Sequence, residues 1–142
     1  VSFVVHQRTL EVKTHGRGFT DVTREVAAVV EESGVSVGTC AVFLQHTSAS
    51  LVVQENADPA VLRDLARWME RLAPESAAYE HDAEGPDDMP SHLRSAVTRS
   101  GEVLPVSGGR LALGTWQALY VWEHRTAPHR RRAVVTVTGT RG

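Results

Sequence analysis

Apolar and polar residues change rhythm several times along this chain, and each rhythm predicts an element. Residues 2–13 read as extended, with Leu10 and Val12 alternating against polar neighbours as on a strand. His15-Gly16-Arg17-Gly18 reads as a turn and 19–22 as a short strand. Val26, Val29 and Val30 recur at helical spacing, so a helix is predicted over 24–33. Thr23 offers its hydroxyl as the N-cap and Gly34 ends the helix. Over 38–46 the period returns to two, and Cys40, Val42, Leu44 and His46 share one face. His46 therefore ends an otherwise apolar row, and a second strand follows over 50–54. Asp58-Pro59 opens the next helix with a cap acceptor and then a proline where no N–H is missed. Val61, Leu62, Leu65, Trp68, Met69 and Leu72 carry its apolar stripe to 72.

The rhythm then lapses. From 73 to 88 the chain is polar and broken by Gly85 and Pro86, which predicts a loop longer than most connections in a compact domain. Asp88 or Met89 caps a helix over 90–98. Strands are predicted near 102–106, 110–114, 117–124 and 132–139, with Gly108-Gly109 as a hairpin turn and the last four strands as antiparallel neighbours. The expected fold is α+β: a single domain over 1–142 with a large, mainly antiparallel mixed sheet and about three helices.

Composition narrows the function classes. At 142 residues and a net charge of -2, the chain suits one domain and gives no broad electrostatic grip on nucleic acid. The one cysteine, Cys40, excludes an intramolecular disulfide and a cysteine-based zinc finger; its apolar strand predicts an inert buried thiol. No apolar run is long enough to span a bilayer and no signal-peptide pattern is visible, so the expectation is a cytoplasmic protein without a membrane partner.

Candidate chemistry gathers in three histidine-bearing stretches. His46 is followed by Thr47, Ser48 and Ser50, hydroxyls that suit phosphate oxygens or water, or equally a hydrogen-bonded turn. The stretch 81–92 is the densest, with His81, Glu84, Asp87, Asp88 and His92. Its carboxylates can accept protons or hold a divalent cation. Asp87 and Asp88 can also simply cap the following helix, where His92 falls in the first turn, a place that favours anions. His124 ends a strand face made by Ala118, Tyr120 and Trp122, repeating the pattern of His46. Zinc and similar ions accept imidazole readily, so His46, His92 and His124 form the candidate metal triad, although no compact ligand motif links them. Arg125 can pair a carboxylate or phosphate. Arg130, Arg131 and Arg132 read as a solvated turn, Trp116 as a core or interface residue that can also stack on a flat ring. His6, His15 and His129 carry no assigned role.

Taken together, these stretches resemble the YjbQ family, also called the secondary thiamine-phosphate synthase family. The resemblance is carried by residues 42–51, by Glu55-Asn56-Ala57-Asp58-Pro59, by 81–92 with its Glu84-Gly85-Pro86-Asp87-Asp88-Met89-Pro90 core, by 109–117, and by Glu123-His124-Arg125. It implies a compact α+β homotrimer with sites near subunit boundaries. It also implies a weak activity that joins a hydroxymethylpyrimidine diphosphate to a thiazole phosphate and releases pyrophosphate. On this resemblance the catalytic residues are His81, Glu84 and Asp87, and the substrate-binding residues are Thr47, Ser48, Asn56, Asp88, Trp116, Gln117 and Arg125. A divalent ion, zinc or magnesium, is expected on the diphosphate, held by Glu84 and Asp87, with His92 on the leaving group. A proton would fall to His46, His81 or His124. Two positions depart from the family pattern: Ala118 replaces a frequent glycine and Thr126 a frequent acidic residue. A metal-dependent hydrolase of a small phosphorylated substrate and a non-catalytic trimeric binding module are the competing readings.

Overall fold

The computed structural model describes residues 2–142, built from eight strands and three helices. In chain order they are β1 (Ser2–Lys13), β2 (Gly18–Asp21), α1 (Thr23–Ser33), β3 (Val37–Leu44), β4 (Ala49–Glu55), α2 (Pro59–Leu72), α3 (Asp88–Ala96), β5 (Gly101–Ser107), β6 (Arg110–Leu111), β7 (Gln117–Glu123) and β8 (Arg130–Arg141). The strands form a five-stranded sheet in the order β1-β8-β3-β5-β6 and a three-stranded sheet in the order β2-β7-β4. Every ladder is antiparallel. The fold is thus α+β as expected, with the strands shared between two sheets and, among the described residues, no parallel pairing to make either one mixed.

The last four strands are not consecutive neighbours. β7 leaves for the second sheet, and β8 inserts between β1 and β3, pairing Ser2 with Arg141 at one end and Lys13 with Arg130 at the other. β6 is also shorter than predicted, with only two residues laddered. Gly108 and Gly109 both hold positive φ, 57° and 76°, the backbone that a tight hairpin between twisted strands requires.

One core fills the space between the two sheets and α1. Period-two strands send Val42 and Leu44 of β3, Val135 and Val137 of β8, Leu104 and Val106 of β5, and Leu119 and Val121 of β7 into it, and α1 adds Val26, Val29 and Val30. Cys40 lies here too, its thiol pushed up to about 11 by burial, which leaves it protonated and inert. α2 and α3 pack against β4 instead. Of the apolar stripe on α2 only Met69 is fully buried, while Trp68 and Leu72 remain exposed.

The opposite face of the five-stranded sheet is uncovered. The ladders set Phe3 beside Thr140 and Val37, Val5 beside Thr138 and Thr39, and Val103 beside Ala41. Phe3, Val5, Val37, Phe43 and Val103 are each more than half exposed there. Among the described residues no helix is long and apolar enough to cross a membrane.

Candidate functional site

α3 begins at Asp88, two residues earlier than the sequence pattern predicts, and that shift builds the site. It places Asp88 and His92 at i and i+4, one above the other on a single helix face. The preceding loop folds His81 and Glu84 back onto them. His81 Nε2 lies 2.7 Å from Asp88 Oδ2 and 3.0 Å from Glu84 Oε2, and His92 Nε2 lies 3.2 Å from the same Asp88 oxygen. One donor atom from each of His81, Glu84, Asp88 and His92 falls within 4.8 Å of all the others.

Arg125 holds this group from behind. Its Nε donates to Asp87 Oδ2 at 2.9 Å, Nη1 to Asp88 Oδ1 at 2.8 Å and Nη2 to the Glu84 carbonyl at 3.0 Å. Asp87 also accepts from the Thr126 backbone N–H and from its hydroxyl, a donor that an acidic side chain at 126 would not supply. Burial alone would raise the Asp87 carboxyl; hydrogen bonds from Arg125 and Thr126 outweigh it and hold the group well below the usual carboxylate range. The hydrogen bond and charge of Asp88 raise His81.

The tautomer of His92 decides what the cluster can hold. Its Nδ1 is 2.9 Å from the Thr47 carbonyl oxygen, which can only accept, so the ring proton sits on Nδ1. A neutral His92 then aims the Nε2 lone pair at Asp88 Oδ2, another acceptor. Two lone pairs facing at 3.2 Å call for a cation between them, either a proton or a metal. A backbone carbonyl fixing Nδ1–H is the support that metal-bound imidazoles characteristically receive. The His81–Glu84 and His92–Asp88 spacings, 3.0 Å and 3.2 Å, are those of neighbouring ligands on one ion, since donors at about 2.1 Å from a metal lie about 3 Å to 3.4 Å from one another.

His46 and His124 stand outside this cluster, so the triad expected from sequence does not assemble within one chain. β3 stops at Leu44, and His46, two residues beyond, turns back to accept from the Arg132 backbone N–H at 2.7 Å. Burial and the charge of Arg131 lower its pKa. His124 follows the end of β7 and has no exposed surface, with Nε2 2.9 Å from Ser50 Oγ. Burial, then Arg94, drives its pKa down to about 3. A ring so enclosed is a poor ligand for an ion arriving from solvent.

Asn56, Trp116 and Gln117 lie farther off still. Gln117 starts β7 and Glu123 ends it, which separates those ends by about 20 Å. Asn56 Nδ2 binds the Thr115 and Gln117 carbonyls, and Gln117 Oε1 accepts from the Gly114 N–H, so these amides shape a turn that leaves Trp116 exposed.

Glu123 carries no role in the sequence reading, and Arg131, expected in a solvated turn, is instead a buried residue of β8, held inside by its pair with Glu123. Glu123, fully buried, takes the Thr14 hydroxyl at 2.7 Å, the Arg125 N–H at 3.1 Å and a close bidentate pair from Arg131. Burial would raise it, but Arg131 and Thr14 hold it low. Arg131 reaches on to Ser48 Oγ at 3.0 Å. The signal was present: Arg131 is in phase with Ala133, Val135 and Val137, so the alternation that buries them buries it too.

Comparison with known proteins agrees on the family. The family model described as UPF0047 protein YjbQ-like matches residues 8–140. The UPF0047 protein of Synechocystis is 50% identical over 139 residues, covering 97% of this chain and 95% of its own. The UPF0047 protein YjbQ of Escherichia coli O157:H7 is 43% identical over 135 residues, covering 94% and 98%. Among solved structures, a YjbQ/UPF0047 protein of Clostridium acetobutylicum superimposes with a TM-score of 0.82 at 34% identity, over 92% of this chain and 98% of its own. A protein of unknown function from Sulfolobus solfataricus gives 0.90 at 25% identity, over 98% and 100%. The chain belongs to the YjbQ-like UPF0047 family.

Proposed function

We propose that the chain is a thiamine-phosphate synthase-like transferase whose chemistry is centred on His81, Glu84, Asp88 and His92. The observation that carries this reading is the His92 lone pair held against the Asp88 carboxylate by the Thr47 carbonyl. Two imidazoles and two carboxylates fit a divalent ion, and the imidazoles favour zinc over magnesium. When bound, such an ion would offset the charge that develops on a departing diphosphate.

The remaining work falls to the side chains. In the reaction, the bond from the pyrimidylmethyl carbon to the diphosphate oxygen breaks, and the thiazole nitrogen gives its pair to that carbon. With an ion on Glu84, Asp88 and His92 alone, His81, exposed and with its pKa raised by Asp88, would stay free to hand a proton to the leaving oxygen. Arg125 and Asp87 keep the Asp88 carboxylate oriented through the change. Arg125, expected to bind substrate, is read here as a positioning residue because its guanidinium is already engaged. A cytoplasmic location suits the reaction.

Incubating the protein with zinc and both substrates, and following thiamine phosphate and pyrophosphate together, tests the proposal. Equal formation of the two supports it, and His92→Asn should cut turnover by about 100-fold or more with little change in melting temperature. Phosphate release without coupling would favour the hydrolase, and ligand-induced stabilisation with no product would favour a binding module. Unchanged turnover in His92→Asn would remove His92 from the chemistry.

We further propose that the chain works as a homotrimer through the uncovered face of the five-stranded sheet. Five large apolar side chains each expose on the order of 100 Å², and contiguous apolar patches beyond a few hundred Å² mark association surfaces.

A further inference from the structure

On the other side of Thr47 the hydrogen-bonding problem is inverted. The Arg132 backbone N–H can only donate, so His46 Nε2, 2.7 Å away, must be the accepting nitrogen. The proton of the neutral ring is therefore on Nδ1. That N–H faces Arg131 Nη1 at 3.4 Å, and a guanidinium has no lone pair to offer. Two donors meet with no acceptor between them. The rest of Arg131 is engaged, Nε with Glu123 and Nη2 with Glu123 and Ser48, while Nη1 has no other hydrogen-bond partner among the described residues.

Both donors border a hollow of about 460 Å³ that Gln45, Thr47, Ser48 and Ser100 also line. Among the described residues no carboxylate lines it. Arg131 is itself 4% exposed and fixed by the buried Glu123, so its free edge is preorganised. One water could accept from His46 and Arg131, but its two lone pairs would then be used. A phosphoryl group has enough oxygens for both donors and for the hydroxyls and amide at the rim.

We propose that this hollow is a phosphoryl-binding site, in which one oxygen of a phosphate or phosphomonoester accepts from both His46 Nδ1 and Arg131 Nη1. The site is distinct from the His81–Asp88 cluster, although Thr47, which lines it, supplies the carbonyl that orients His92. The assignment stands whether or not the chain is a transferase, because binding is read without turnover.

Calorimetric titration of the full chain in EDTA, with inorganic phosphate, glycerol phosphate and acetate in turn, tests it. Phosphate and glycerol phosphate should bind, with acetate weaker by about 10-fold or more. Ser100→Asp puts a carboxylate on the exposed rim without touching the core, and should abolish phosphate binding. His46→Ala should weaken it by about 10-fold or more, since one charge-assisted hydrogen bond is lost. Arg110→Ala, on the β5–β6 hairpin, should leave it unchanged, which shows that the loss belongs to this hollow rather than to any lost charge. No binding at about 10 mM phosphate, acetate binding as tightly as phosphate, or full affinity in both Ser100→Asp and His46→Ala would each overturn the proposal.

Discussion

His124 has no exposed surface, and burial holds its imidazole neutral down to about pH 3. An unfolded chain would protonate the same ring near pH 6.5. Between those values the unfolded state binds a proton that the native state refuses, so stability is full above pH 6.5 and falls as the pH drops toward 3. The slope from this one group is about 1.4 kcal/mol per pH unit. His81, raised by Asp88, acts in the opposite sense, so the effect is best read against a variant. Urea unfolding between about pH 7 and pH 4.5 should show a steeper loss of stability on acidification in the native sequence than in His124→Gln, whose amide can still meet Ser50. Equal slopes would mean that His124 is not held neutral. At this scale the sequence exposes which residues carry chemistry but not their proton positions. Whether His46 and His92 present a donor or an acceptor depends on single backbone groups, Arg132 N–H and Thr47 C=O, that lie 86 and 45 residues away.

Helix ends show the same division between local and distant partners. Asp58 accepts from the Ala60 N–H at 2.9 Å and Gly34 ends α1 at φ 70°, both as the sequence predicts, because cap and helix are neighbours in the chain. Asp58→Ala should cost about 1 kcal/mol, measurable as a shift in the urea midpoint with an unchanged slope. Thr23 is different: it is the first residue of α1, and its hydroxyl accepts from the Leu119 N–H of β7 rather than capping. Its true partner lies 96 residues off and leaves no local signature. The start of α3 at Asp88 also lacks a local signature. A cap at Asp88 or Met89 before position 90 fits the local pattern equally well and conceals the i,i+4 relation of Asp88 to His92. β3 and β8 carry a further constraint, since Gly38 and Gly139 are paired across the ladder. A Cβ added to Gly139 would meet the Val37 carbonyl oxygen at 2.2 Å and the Gly38 Cα at 2.7 Å. Neither backbone can retreat without opening the sheet, so Gly139→Ala should destabilise the protein by about 3 kcal/mol, seen as a lower midpoint of thermal unfolding.

For the whole molecule, class was legible and topology was not. Alternating and helical periods marked the strands and helices one by one, but nothing local reveals that β7 and β8 join different sheets. The uncovered sheet face was equally hidden, because apolar residues on a period of two look the same whether they face a core or another subunit. If that face is the trimer contact, light scattering at about 10 µM should give three times the 15.5 kDa chain mass, and Val103→Glu should reduce it. A native-sequence monomer at that concentration would exclude the contact. The order of the strands also bears on biosynthesis. β8, made after every other strand described, must slot between β1 and β3. The larger sheet cannot close before β8 has been made, and until then Phe3 and Val5 wait without their β8 neighbours. Closing that sheet is therefore a late, long-range step of folding, and the apolar edge strand β1 stays open to wrong pairings until it is made.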